Sequence, residues 1–162
     1  MSTLDQWSRR LTQLLAAIGA AAVAGMIALT VGNIGLRILW KPIKGSVELI
    51  GFLGAVAAAF ALGYAQVHRS HIAVDILTQR FSKRTRAGLE GLNRILGAAF
   101  FLVAGWQLVR YGTTLWRTGE LTETLRIAYH PVVFAVALGC AVMALVLVVE
   151  VLRMLGSGGE AR

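Results

Sequence analysis

Charge is what this sequence has least of. Only 15% of its 162 residues are Asp, Glu, Lys or Arg, against about a quarter in ordinary soluble chains. Together with 57% apolar residues and a mean hydropathy of +0.69, that shortage excludes a water-soluble globule. Cysteine occurs once, as Cys140 inside an apolar run, which leaves no disulfide framework and no cysteine metal cluster. No nucleotide-binding loop, metal-binding pair or nucleophile–base set is present. The chain is therefore not expected to be an enzyme.

The few charges border four runs that have none: residues 11–36, 49–68, 95–109 and 127–149. Crossing roughly 30 Å of hydrocarbon takes about 20 apolar residues in a helix. The first and last runs suffice, and the second is just long enough. The third is short between Arg94 and Arg110, but uncharged residues 111–116 extend it and arginine can bend its charged head back to the interface. A buried or re-entrant segment is the alternative for 95–109. Arg9 and Arg10 before an Ala-rich run resemble the start of a signal peptide, yet the uncharged run is too long for one, and cleavage is not expected. The expected fold is all-α and integral to the membrane. One domain over residues 1–162 holds four transmembrane helices, at about 11–39, 47–67, 88–116 and 129–152.

Between the second and third helices, Ala73, Leu77 and Phe81 recur at i, i+4 and i+8 with Ile76 beside them. Asp75, Gln79 and Arg80 point elsewhere. This predicts a short amphipathic interfacial helix over 72–81. Ser82 is a suitable N-cap for the next helix, whose stripe continues through Leu89, Leu92 and Leu96. The third helix is thus expected to run from near Lys83 to about Arg117, roughly 50 Å.

Lysine and arginine set the orientation. Ten lie on the side shared by both termini and the middle loop, and six on the other. Positively charged loops resist translocation, so both termini are expected in the cytoplasm. Trp40, Tyr111, Trp116 and Tyr129 then mark the outer interface and Trp7 the inner one. The net charge of +8 suits a basic loop beside anionic membrane lipids, at about 1 kcal/mol per residue. No nucleic-acid partner is expected, because the basic residues follow the span ends.

Few positions carry a specific signal. Gly51, Ala55, Ala59 and Gly63 repeat at every fourth residue, a face that lets another helix approach, either within the bundle or on another subunit. Glu48 stands at the start of the second helix, where exposed amides and the dipole favour a carboxylate. A basic group on another chain is the alternative partner. Glu150 is expected to snorkel or to pair with Arg153. His71 and Asp75, four apart, either pair or simply open a helix beside a polar loop.

An ion or substrate pathway needs polar groups deep in the bilayer, but Asn33, Glu48, Gln66, Gln107 and Glu150 all lie near span ends. Haem needs two axial ligands at one depth. His68 and His71 fall at the inner edge and His130 at the outer, so no cofactor is expected. An accessory or scaffold subunit is the most economical reading. The alternatives are a haem-binding membrane anchor of a redox enzyme and a self-sufficient small homo-oligomeric transporter.

Three segments also resemble a known family. Ser46-Val47-Glu48-Leu49 is similar to its Ser-(Glu)-Glu-Leu helix opening. Residues 54–64, leading into His71-Ile72-Ala73-Val74-Asp75, are similar to a small-residue helix with a His-Ile-x-Val-Asp signature. Residues 119–127, with Thr124-Leu125-Arg126-Ile127, are similar to a Thr-Leu-x-Ile-Pro turn. In that order, over about residues 37–155, the chain resembles the small permease (Q-type, DctQ-like) subunit of tripartite ATP-independent periplasmic (TRAP) transporters. It departs from the pattern at Val47, where the double-Glu version has its first glutamate, and in having its proline only at Pro131.

The resemblance implies a bacterial cytoplasmic (inner) membrane location and two protein partners. One is a large (M-type) TRAP permease subunit that binds substrate and ions. The other is a periplasmic solute-binding protein (P-type) that delivers an organic acid. It further implies symport, usually with sodium, by an elevator-like motion against a scaffold that includes the small subunit. On this reading Glu48, Gly51, Ala55, Ala59, Gly63, His71 and Asp75 are candidates for internal and subunit-interface contacts. Lys41, Lys44, Glu120, Glu123 and Arg126 are candidates for docking the binding protein.

Overall fold

The computed structural model describes residues 3–67 and 83–157. Within them the chain forms four helices: α1 (Thr3–Leu39), α2 (Ser46–Val67), α3 (Lys83–Thr118) and α4 (His130–Ser157). All four are long and apolar enough to cross a membrane, and no strand is formed among the described residues. The expected interfacial helix over 72–81, with His71 and Asp75, lies outside the described residues.

Each helix follows from its solvent. In lipid a backbone can bond only to itself, so every uncharged run long enough to cross becomes a helix. α3 runs unbroken through Arg94 and Arg110 for 36 residues, about 54 Å at 1.5 Å per residue. Residues 95–109 are therefore the middle of one long helix, and the re-entrant alternative falls.

The helices stand in the order α1, α2, α4, α3. α1 packs on α2, α2 on α4, and α4 on α3, while α1 touches α4 only slightly. α1 and α3 thus form the edges. One core cluster joins Leu15 of α1, Ala59 and Phe60 of α2, and Val142 of α4. A second joins Ala98 of α3 to Met143 and Leu147 of α4, with Leu62 and Phe101 against it.

Lipid tails are as apolar as leucine, so small residues that admit a neighbour decide such contacts. α2 and α4 approach most closely at Gly139. A Cβ there would lie 2.6 Å from the Ala59 carbonyl oxygen, so only glycine fits. Along α3, Ala98, Gly105 and Gly112 recur every seven residues and face α4. Ala98 packs with Met143, Gly105 lies against Cys140 and Gly112 against Phe134, in antiparallel order. A period of seven keeps a row aimed at one partner along the length of a helix pair.

The every-fourth row on α2 behaves differently. Each four-residue step turns about 40° around a helix of 3.6 residues per turn, so three steps swing about 120°. Gly51 and Ala55 accordingly face outward, with nothing near the Cβ that Gly51 lacks. Ala59 meets Gly139, and Gly63 lies between Thr12 of α1 and Val142 of α4. The row is one face in sequence and two surroundings in space.

Candidate functional site: a turn clasped by Glu48

The α1–α2 and α3–α4 connections share one end of the molecule, and there they build a joint structure. The Ile43 N–H donates to Asn33 Oδ1 at 2.8 Å, which folds the short α1–α2 connection back onto α1. Gly45 follows with φ of +73°, the left-handed region where a side chain is strained. Leu125 of the other connection fills the space where a Gly45 Cβ would stand. Ser46, which is buried, then opens α2.

Glu48, in the first turn of α2, reaches the same connection. The Thr124 N–H donates to its Oε1 at 2.7 Å and the Leu125 N–H to its Oε2 at 3.1 Å. Hydrogen bonds onto an ionised acceptor are among the strong ones, and two of them fix orientation as well as distance. Both oxygens are thus used within the chain. Val47, the neighbour standing where the family pattern has a first glutamate, is 80% exposed and takes no part in the clasp.

The turn itself is closed by Thr122, whose residue is buried. Its N–H donates to the Ile127 carbonyl at 2.9 Å, and its carbonyl accepts the Arg126 N–H at 3.2 Å. Its Oγ1 accepts the Ile127 N–H at 3.1 Å. An antiparallel bridge between Leu121 and Ala128 seals the base. Arg126 has a φ of +53°, a conformation that costs an ordinary residue about 1 kcal/mol or more. The Thr122 bonds on either side of it, with the Glu48 clasp, hold it there.

Aromatic contacts tie the turn to the helices below. Tyr129 meets Phe52 of α2 edge-on at 5.5 Å, and His130 stacks on Trp116 of α3 at 6.1 Å with Phe134 edge-on to it. His130 is therefore part of the packing between α3 and α4. Lys41, Lys44, Glu120, Glu123 and Arg126 are all exposed at this end.

The opposite end has a smaller polar cluster. Gln66 of α2 donates from Nε2 to Glu150 Oε2 at 3.2 Å, and Arg94 Nε of α3 lies 3.4 Å from the same oxygen. Side chains of Arg94 and Glu150 are 20% and 23% exposed. Glu150 is thus held by groups on two other helices, while its expected partner Arg153 has a side chain outside the described residues. The antiparallel register of α3 on α4 sets Arg94 directly against it. Gln66, Arg94 and Glu150 each stand near a span end in the sequence, but spacing along the chain does not join them. The seven-residue row on α3 also went unread, though its spacing was visible.

The chemistry of this arrangement is that of holding. Among the described residues, no three His, Cys, Asp or Glu side chains gather as a metal site. The bonded polar groups just named sit near the helix ends and join helices or connections of the same chain.

No curated protein matches the chain. A family does: tripartite ATP-independent periplasmic transporters, DctQ component, matching residues 26–156. That stretch takes in the C-terminal part of α1, all of α2 and α3, nearly all of α4, and the Glu48 clasp with both motifs that build it. The chain belongs to the DctQ family and is the small membrane component of a TRAP transporter.

Proposed function

We propose that this chain braces the large permease subunit of a TRAP transporter in the bacterial cytoplasmic membrane, with both termini in the cytoplasm. The large subunit then moves an organic acid inward by sodium symport, after a periplasmic solute-binding protein delivers it. A component of a transporter is neither an enzyme nor the membrane anchor of one, so family membership sets the redox-anchor alternative aside.

The observation that carries the scaffold role is where the polar groups lie. Passage of an ion or an acid requires stabilising groups at depth. The centres of all four spans lack charge, and the bonded carboxylates Glu48 and Glu150 stand near helix ends and serve the chain's own fold. α3 in contrast offers a broad outer face, with Phe100, Leu102, Val103 and Trp106 all more than half exposed. A single open layer of helices with a bulky apolar edge suits a frame that extends a larger one.

Co-expression with the large subunit tests this reading. The two chains should leave the membrane together under gentle extraction. Sodium-driven uptake in proteoliposomes should need both, along with the binding protein. Solute flux through vesicles that hold this chain alone would sink the proposal, as would full uptake without it.

A further inference from the structure

The outward face of α3 carries two polar side chains that acyl chains do not satisfy. Gly105 lies against Cys140 and the backbone of Ala137 and Ala141. It therefore stands within a turn of the middle of α4, whose apolar span runs His130–Leu152. Gln107, two residues on, is turned about 200° away from that contact and advanced about 3 Å. Expected near a span end, it is set well inside by the register on α4. In α3's own span, Gly91–Thr118, it also lies nearer the middle than either end. The residue is exposed, and its amide has no hydrogen-bond partner among the described residues.

Arg110 follows on the same face, about 4.5 Å further along. Half of a hydrocarbon core is about 15 Å, so both backbones fall inside it. The Arg110 guanidinium does not reach outward. It lies 5.2 Å from the ring centre of Trp106, one turn back toward the middle of the span. Arg110 is exposed and has no ion-pair partner among the described residues. No Asp or Glu stands between Glu90 and Glu120 on α3, or before Glu150 on α4.

An unsatisfied amide and an unpaired cation are costly at this depth, so both call for groups from outside the chain. A phospholipid phosphate answers Arg110 alone, because Gln107 lies deeper, among the acyl chains. A second copy fails on charge: two-fold pairing in one membrane sets Arg110 against its own image with no acid between them. A different protein with an acid at the level of Arg110 meets both needs.

We propose that Trp106, Gln107 and Arg110 form the polar anchor of the contact with the large permease subunit, on a transmembrane helix that presents a carboxylate to Arg110 and an amide or hydroxyl to Gln107. The inference rests on the bracing role above and specifies the chemistry of its interface. Trp106 holds the guanidinium against the face, a contact that strengthens once lipid and water are displaced. Phe100 and Val103 continue the same face as apolar contact around the anchor.

The test uses this chain co-expressed with its large partner. Photo-crosslinking from Gln107→p-benzoylphenylalanine should give an adduct with the large subunit. Arg110→Gln should lower the share of large subunit retained in gentle detergent at least about tenfold, and Gln107→Leu severalfold. Each isolated variant should be as thermostable as the parent or more so, because a polar group leaves the lipid face. Arg110→Glu should abolish retention, and one Asp or Glu in the membrane segments of the large subunit, replaced by Arg, should restore it. Adducts with only a second copy or only phospholipid overturn the anchor, and so does full retention of the large subunit in both variants. Isolated variants destabilised as much as the complex is weakened overturn it too, since the two residues would then serve the fold. Absence of rescue at every acid overturns the carboxylate. Any of these results with a parental pair that co-purifies defeats this inference alone. A parental pair that never co-purifies defeats the bracing reading itself.

Discussion

α3 and α4 lie against each other along most of their length, yet they live in different surroundings. α4 is packed by α2 and by α3, and its Ala137, Cys140, Val142, Met143, Ala144, Val146 and Leu147 are all buried. α3 packs chiefly on α4, burying Ala98, Gly105, Gly112 and Leu115 while its bulky residues face out. In water such an exposed face would be untenable. In lipid it costs little, because the surroundings are as apolar as the side chains. What decides which helix is central is therefore the placement of small residues, not hydrophobicity.

The sharpest way to break this contrast is Gly139→Leu, in the densely packed helix. The new side chain meets the Ala59 backbone, which cannot swing aside. Overpacking of this kind costs about 3 kcal/mol. The expected result is a lost monodisperse peak and a lower Tm for the chain in detergent. A variant as stable as the parent would mean that α2 and α4 are not held by close approach.

A middle-sized effect tests the seam between the two helices. Glu150→Ala removes the acceptor shared by Gln66 and Arg94. A fully buried pair broken on one side costs more, but this one is partly exposed, so about 1–2 kcal/mol is expected. Thermal unfolding of the purified chain reads it. Glu150→Gln, which keeps an acceptor oxygen, should lose less.

The smallest effect belongs to the exposed edge. Phe100→Ala, at a position 65% exposed, should move the stability of the isolated chain by less than about 0.5 kcal/mol. Gly51→Leu should be equally silent, since nothing stands where its side chain would go. If either variant is silent in the isolated chain but lowers the yield of the complex with the large subunit, that face is the one the partner covers.

Several features were legible in the residues and others were not. α3 starts at Lys83 and passes through Arg94, as the leucine stripe and the snorkelling argument required. The acid at the head of α2 was legible as a helix-start carboxylate, but its partners stand 76 and 77 positions away in a loop of irregular backbone. Spacing says nothing about such a contact. The every-fourth row on α2 invited one surface, and helical drift divided it into two. For Glu150, register supplied Arg94 of another helix, a partner that spacing along α4 could not show.

The four membrane-spanning helices and the family signature were legible in the sequence alone, because in lipid a long uncharged run has no alternative to a helix. Which helices touch, and where the carboxylates at their ends find donors, was decided only in the tertiary structure. The physical reason is that an apolar solvent leaves no buried-versus-exposed pattern along a helix. Neighbours are then chosen by the fit of small residues and by polar groups that meet only once the register is set.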